Sequence, residues 1–442
     1  MITIRLKNTL TGNKEIFTTS NNAVTMYVCG ITPYDYAHMG HGRCYVTFDV
    51  IYRLLQGIGY KVRYCRNFTD IDDKLLNRAE QEFGDRGKYT PFAEQYIAAY
   101  HNDMNALSCL PPTVEPRVTQ VIPDIISFIE KLVEKGCAYE SNQSVYFSVE
   151  SAPDYGKLSK RELDELAAGA RVEVSAEKRN PADFVLWKKD ESAIFWDSPW
   201  GHGRPGWHIE CSVMARKYLG DIIDIHGGGM DLTFPHHENE IAQSECYHDH
   251  AFVRYWLHNA FVQINQQKMS KSLGNFFTLR DVFKKYDPMV VRYLFISHHY
   301  RSPLDFSFDE LENAQKAYKK LIRVLADKKL LKEIVIKGPI AQKMMQFLAD
   351  DVNTPGMLGV VFEHAQELQQ DSHQAAEVKA ILVNICGLSL APLPEHEAVI
   401  TPEINRLIKE REAARAARDW ARSDALRDQL KELGYVVQDK KL

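Results

Sequence analysis

Residues 25–70 read TMYVCGITPYDYAHMGHGRCYVTFDVIYRLLQGIGYKVRYCRNFTD, and the succession of patterns in that stretch decides the fold class. Residues 25–28 form a short apolar run, a strand candidate, broken by Cys29-Gly30. Residues 42–56 show helical spacing through Tyr45, Phe48, Val50, Ile51 and Leu54, and Gly57 and Gly59 end that helix. Residues 61–67 alternate again and stop at Phe68-Thr69-Asp70. Strand, helix, strand in this order implies a parallel sheet, since parallel neighbours need a crossover. Ligands of such sheets sit beyond the carboxyl ends of the strands, where Cys29 and Thr69 fall.

Around this start lies a chain of 442 residues, 45% hydrophobic and 26% charged, the composition of an ordinary globular protein with room for several domains. No apolar stretch approaches the roughly 20 residues needed to cross a bilayer, and residues 1–17 lack the apolar block of a signal peptide. A cytoplasmic protein without membrane contact is expected. Lys plus Arg number 54 against 59 Asp plus Glu, a net charge of −5, so any polyanion must be met by a local surface. The 8 cysteines are scattered without a CxxC pair, as expected of reduced thiols. After Pro111-Pro112, a hairpin over 138–149 and a charged, weakly patterned stretch over 168–181 suggest an inserted domain at 112–205. Apolar segments at 222–225 and 252–256 suggest that the parallel sheet then resumes. From Phe308 to about Leu388 the texture is that of a helical bundle, with Pro355 and Gly356 marking a break. Residues 390–402 read as a linker. A small module at 403–442 opens with a helix and closes on the strand-like Tyr435-Val436-Val437.

Two motifs carry chemistry. His38-Met39-Gly40-His41-Gly42-Arg43 lies between the first strand and its helix, where backbone N–H groups and glycines let a phosphate chain approach and two imidazoles add donors. A polar turn in which a histidine caps the helix is the bland alternative. Lys268-Met269-Ser270-Lys271-Ser272 offers two cations and two hydroxyls able to neutralise charge growing on a transferring phosphate. Alone, such a run is a solvated loop. Asp70, Asp72 and Asp73 read as caps and dipole partners rather than as a magnesium site. Gly201-His202-Gly203-Arg204-Pro205-Gly206 fits GxGxxG, but no buried strand precedes it and no helix is expected to open at Pro205-Gly206, so it is not a dinucleotide fingerprint. His236 and Glu240, four apart, share one face if helical and can grip one ion, whereas His237 turns about 100° away and reads as a neighbour. Arg411, Arg415, Arg418 and Arg422 align on one helical stripe near Trp420. They form either an RNA surface or an ion-paired solvated face.

The HMGH and KMSKS stretches, with an insertion between them, resemble the HIGH and KMSKS signatures of class I aminoacyl-tRNA synthetases. Met39 stands where the signature has Ile, a volume-conserving exchange. YVCGIT at 27–32, NFTDIDDK at 67–74, GWHIECS at 206–212, HGGGMD at 226–231 and FPHHENE at 234–240 narrow the resemblance to the cysteinyl-tRNA synthetase family over nearly the whole chain. The resemblance implies a Rossmann-like α/β catalytic domain in two halves (1–111 and 206–255), an inserted connective domain (112–205) and a KMSKS-bearing connector (256–307). An all-α bundle (308–390) and a small C-terminal α/β module that reads the anticodon (403–442) complete the expected order.

It further implies that Cys29, Cys211, His236 and Glu240 surround one Zn²⁺ ion that binds the cysteine substrate. His38, Gly40, His41, Lys268 and Lys271 are expected on ATP, which arrives with Mg²⁺. Thr32, Thr69, Trp207 and Asp231 are expected on the amino acid or adenylate. The alternatives are core filling for Trp207 and helix capping for the other three. The implied activity is ATP-driven joining of L-cysteine to the 3′ end of tRNA(Cys) by a monomer. Zinc would separate cysteine from serine because a thiolate is a soft ligand and an alcohol stays protonated. Relatives that pass cysteine to an amino sugar, and a non-catalytic RNA-binding paralogue, are the competing readings. The presence of Glu240, residues 403–442 and both signatures stands against them.

Overall fold

A short antiparallel pair, β1 (Arg5–Lys7) and β2 (Lys14–Ile16), precedes β3 (Ala23–Ile31), which leads into α1 (Met39–Gly57) and β4 (Lys61–Phe68). The computed structural model describes residues 2–161, 177–191, 194–268, 276–394 and 402–432. β3 does not break at Cys29-Gly30 but continues to Ile31, with a shift of register after Val28. Glycine makes this possible: a Cβ at Gly30 would stand 1.5 Å from the Asn67 carbonyl oxygen of β4. α1 begins at Met39 rather than Gly42 because His38 caps it. α2 (Asp73–Phe83) and α3 (Tyr89–Ala106) follow, with Asp72 capping α2.

α4 (Ile122–Glu134) leads into an antiparallel sheet of β5 (Ala138–Ser141), β6 (Ser144–Phe147), β7 (Phe184–Lys189) and β8 (Gly203–Pro205), paired in that order. β5 and β6 are the hairpin expected over 138–149; most of 168–181 lies outside the described residues. Against expectation, α5 (Trp207–Leu219) does open directly after Gly206. The glycine run is still no phosphate turn, because its middle is β8 itself, antiparallel to β7.

β9 (Ile223–Gly229), α6 (Glu238–His248) and β10 (Val253–Asn259) complete the parallel sheet, whose order is β10-β9-β3-β4. β11 (Val262–Ile264), β12 (Gln267–Lys268), α7 (Leu279–Phe283), α8 (Pro288–Ile296) and β13 (Leu304–Asp305) follow, with β11 pairing both β12 and β13. The helices α9 (Phe308–Leu325), α10 (Pro339–Ala349), α11 (Thr354–Glu363), α12 (Ala365–Gln370) and α13 (Ser372–Asn384) come next. The break expected at Pro355-Gly356 falls just before them, between Ala349 and Thr354, and the pair opens α11, since proline fits the first turn, where its missing N–H is no loss.

The last described pair, α14 (Pro402–Ala416) and α15 (Trp420–Glu432), packs through Ile404, Leu407, Ala414, Leu426 and Leu430. The strand-like 435–437 lies outside the described residues. The four arginines do not share a stripe. Arg411 is buried, Arg418 occupies the turn with φ 58° and Arg422 belongs to α15, so the helical phase is lost between them.

Alternation along β3 divides the interior. Val24, Met26 and Val28 enter a core shared with α1, α8 and the later helices, while Tyr27 and Cys29 enter a second core with α4, α5 and β6. Among the described residues no helix is long and apolar enough to cross a membrane. Cys137, just after α4, is paired in a disulfide with Cys246 on α6, against the expectation of thiols throughout; the other six cysteines are free. The fold brings these helix ends together, as Lys135 Nζ donates to the Cys246 carbonyl at 2.9 Å.

The sheet half is tied to the helices beyond it by Arg292, which is wholly buried. Its Nε donates to the Cys386 carbonyl and one Nη to the Leu107 carbonyl, each at 2.7 Å, and its other Nη meets Asp49 of α1. Arg292→Met is expected to lower unfolding stability by about 3–5 kcal/mol by removing the fully buried partner of Asp49, which keeps only the less buried Arg53, and by taking a donor from the Leu107 and Cys386 carbonyls. Adding Asp49→Asn should recover part of that loss; chemical denaturation of the single and double variants measures both.

Candidate metal centre and nucleotide pocket

At the carboxyl end of the parallel sheet lies a cavity of about 410 Å³, lined among others by Cys29, Thr32, His38, Gly40, His41, Trp207 and Asp231. Cys29, on that lining, belongs to a buried cluster. Cys29 Sγ lies 3.8 Å from Cys211 Sγ and 3.7 Å from Glu240 Oε1, and His236 Nε2 lies 3.2 Å from the same carboxylate oxygen. Parity on β3 sends Cys29 to this side, α5 supplies Cys211, and the turn into α6 supplies His236 and Glu240. Burial first, and then Cys211, push the Cys29 thiol well up; burial pushes the Glu240 carboxyl up and the His236 imidazole down. Each group is thus held toward its neutral form. A divalent cation among them would reverse that balance for sulfur and carboxylate.

His236 Nδ1 meets His208 Nδ1 at 3.0 Å, while its Nε2 is a buried atom without a hydrogen-bond partner, aimed into the cluster. The donor set of sulfur, imidazole and carboxylate fits a transition-metal ion rather than magnesium or calcium, which take oxygen ligands.

A second set overlaps the first. Cys29, Glu240, His226 and His237 also converge, with His237 Nε2 3.3 Å from Cys29 Sγ and His226 Nε2 2.8 Å from Glu240 Oε2. His237 therefore faces the same cluster instead of turning away. The cause is local: Phe234 has extended dihedrals (φ −140°, ψ 133°), so the 233–237 segment is not a regular helix and helical phase does not apply. His258 extends the shell, 2.7 Å from His237 Nδ1. No spacing rule pointed to His208, His226 or His258. Their shared burial around the ligands is visible only in three dimensions.

The other wall is the histidine turn. His38 caps α1, its Nδ1 accepting from the His41 N–H at 3.2 Å, and His41 Nδ1 accepts from the His38 N–H at 3.3 Å. The two rings stack at 3.6 Å. With both Nδ1 atoms accepting, each neutral ring keeps its proton on Nε2 as a donor. The Met39 N–H donates to the Phe277 carbonyl at 3.2 Å, so of the four end donors only Gly40 N–H keeps no partner among the described residues. A Cβ at Gly40 would come 2.9 Å from the His38 ring. The capping alternative thus holds, and the same capped turn lines the cavity.

Trp207 is 42% exposed, its ring 4.3 Å from that of His236, so it lines the cavity rather than filling the core. Asp231 and Thr32 also line it, and neither caps a helix. Thr69 does not line it: its hydroxyl donates to buried Glu210 at 2.9 Å. Asp70 accepts from Thr119, and Asp73 pairs with Lys188 and Arg204, as anchors rather than metal ligands. Lys268 is described only by its backbone in β12, and Lys271 lies outside the described residues. Asn259, Ala260, Phe261 and Val262, which the sequence did not single out, form the facing wall. A separate cavity of about 390 Å³ beside Cys137 and Cys246 carries neither signature.

A four-stranded parallel sheet with its cavity between a capped histidine turn and a cysteine-histidine-glutamate cluster corresponds to the class I aminoacyl-tRNA synthetases. Residues 15–316 match the family model for the tRNA synthetases class I (C) catalytic domain, and residues 398–442 match that for the cysteinyl-tRNA ligase anticodon binding domain. A cysteine–tRNA ligase of Aquifex aeolicus is 46% identical over 99% of this chain and 97% of its own length. One of Actinobacillus succinogenes is 47% identical over 99% and 98%. In fold, the Mycobacterium tuberculosis methionyl-tRNA synthetase solved with methionyl-adenylate superposes with a TM-score of 0.57 at 12% identity, covering 83% of this chain and 89% of that one. The chain belongs to the cysteine–tRNA ligase family and is a ligase enzyme.

Two outcomes test the geometry. Cys211→Ala and His236→Ala should each weaken metal binding, read by chelator competition, by more than the roughly 10- to 100-fold expected for an outer-shell residue, and His237→Ala by no more than that. A larger loss for His237→Ala than for Cys211→Ala and His236→Ala would instead assign the second set.

The folded pKa of His41 lies well below 6.5, lowered by burial and then by His38. The unfolded chain therefore binds the proton first as pH falls, and the stability this contributes is present above about pH 6.5 and lost toward the lower folded value. His41→Asn should flatten the fall of unfolding stability between pH 6.5 and 5 by up to about 1.4 kcal/mol per pH unit.

Proposed function

We propose that this enzyme activates L-cysteine with ATP and transfers it to the 3′ end of tRNA(Cys). The observation that carries the proposal is the convergence of Cys29, Cys211, His236 and Glu240 beneath a pocket walled by His38, Gly40 and His41. Zinc held by those four residues would supply a soft acceptor for the substrate thiolate and so discriminate against serine. A purely apolar pocket separates near-isosteres only about 10- to 200-fold, so bond chemistry removes the need for an editing site.

In the first step the cysteine carboxylate attacks the α-phosphorus of ATP in line and pyrophosphate leaves, with magnesium carried by the nucleotide. No protein nucleophile takes part; positioning and charge neutralisation carry the rate. His38 and His41, as Nε2–H donors, together with the open Gly40 N–H, would hold phosphate oxygens, and Lys268 and Lys271 would neutralise the departing pyrophosphate. Trp207, Asp231 and Thr32 would bound the amino acid and adenylate. Thr69 supports this wall through Glu210 instead of touching substrate. In the second step a ribose hydroxyl of tRNA takes the aminoacyl group.

We assign the catalytic domain to 1–111 and 206–255, the inserted domain to 112–205, the connector to 256–307, the bundle to 308–390 and the anticodon module to 403–442. Arg415, Arg418 and Arg422 remain candidates for tRNA contact and Arg411 does not, being buried. A cytoplasmic monomer fits this work.

Metal analysis combined with cysteine-dependent ATP/pyrophosphate exchange tests the proposal. About one zinc per chain and exchange with cysteine but not serine are expected. Lys271→Ala should slow exchange by roughly 100-fold or more while leaving the KM for cysteine near that of the wild type. Exchange without charging of tRNA(Cys) would point to an amino-sugar acceptor.

A further inference from the structure

Arg43 belongs to the histidine motif but points away from the phosphates. It is fully buried, two residues beyond His41 and therefore on another face of α1. One Nη donates to the Phe261 carbonyl at 2.8 Å; the other donates to the His299 carbonyl at 3.2 Å and to the Ser302 carbonyl. Its Nε has no hydrogen-bond partner, and among the described residues no carboxylate ion-pairs with it. Burial lowers its pKa to about 10. A buried guanidinium that serves only backbone carbonyls is expensive to keep, and a neutral apolar side chain would serve packing as well.

What it grips explains the expense. Phe261 and its neighbours 259–262 are the pocket wall facing the histidine turn, and β11, which follows, carries β12 and the backbone of Lys268. Phe261 is also where the two returning segments meet, since its carbonyl accepts from the Leu304 N–H and the Ala260 N–H donates to the Tyr300 carbonyl. On the far side, residues 277–279 are bonded to the same turn, Met39 to Phe277 and Leu279 to Ala37. One planar donor fork thus sets the distance between the two nucleotide-facing walls at the root of the hairpin bearing Lys268.

We propose that Arg43 is a positioning residue for the activation step: it holds the 259–262 wall and the root of the β11–β12 hairpin in register with His38 and His41, without touching substrate. The proposal rests on the functional reading above and deepens it. A lysine keeps the charge but cannot reach carbonyls on both segments, and a methionine keeps only the bulk.

The test separates the steps. With full-length zinc-loaded enzyme, ATP/pyrophosphate exchange is measured against ATP and cysteine separately. Single-turnover transfer to tRNA from preformed cysteinyl-adenylate is measured in parallel. Misplacement of reacting groups by about 1 Å is worth about 100-fold in rate. Arg43→Met should therefore lower the exchange kcat by about 100-fold and raise the KM for ATP several-fold, and Arg43→Lys should recover part of the kcat. The KM for cysteine and the transfer rate should stay within about twofold. If Arg43→Met proves too unstable to assay, Arg43→Lys alone decides, through its ratio of activation to transfer. Wild-type-like exchange in Arg43→Lys overturns the proposal, as does a proportionate loss of activation, cysteine affinity and transfer, the mark of a merely structural role. Wild-type exchange indifferent to cysteine would sink the functional reading alone, since the ATP dependence of the Arg43 variants is still read with whichever amino acid supports exchange.

Discussion

Two sulfurs, an imidazole and a carboxylate are packed together out of reach of water at the end of a parallel sheet, and much of the architecture follows from keeping them there. Without a cation, burial drives Cys29, His236 and Glu240 toward their neutral forms, so the arrangement is one that a bound ion would complete rather than one that packing alone would favour. The surrounding imidazoles of His208, His226, His237 and His258 give the cluster oriented neighbours instead of apolar ones. Such outer groups decide which nitrogen of each ring is free to bind.

The sheet delivers these groups through its register. Because side chains alternate along β3, placing Val28 in the core beneath α1 obliges Cys29 to face α5, where Cys211 stands one turn from the start of the helix. Gly30 lets β3 and β4 continue side by side at that point, carrying Cys29 to the edge of the pocket. The nucleotide side is organised differently, by a helix end whose donors are largely consumed by its own histidines. Reciprocal capping makes that turn rigid, leaving a small number of directed donors in place of a diffuse positive end. Cys29 and the histidine turn line one cavity, and buried Arg43 ties its Phe261 wall to the segment at 299–302.

Two expectations failed for one reason, that regular periodicity was extended across places where the backbone is irregular. His237 was placed off the ligand face by counting helical degrees through a segment that is not helical at Phe234. The four arginines near the end lined up only on a helix that in fact stops at Ala416. Cys137 and Cys246 carried no signal at all in the chain, being brought together only by the packing of α4 and β5 against α6.

The linear chain by itself determined the class of fold and the positions of the histidine turn and the lysine-serine run, because these rest on local patterns: apolar period, glycine placement and short runs of charged residues. Resemblance to a family supplied the four candidate ligands, which no spacing could have joined. Only the tertiary structure decided that they meet, that a second pair of histidines shares their space, that Thr69 turns to Glu210 and that Arg43 braces the pocket wall. Those facts depend on contacts between residues far apart in the chain. Such contacts are chosen by the packing of whole elements, which no local pattern encodes.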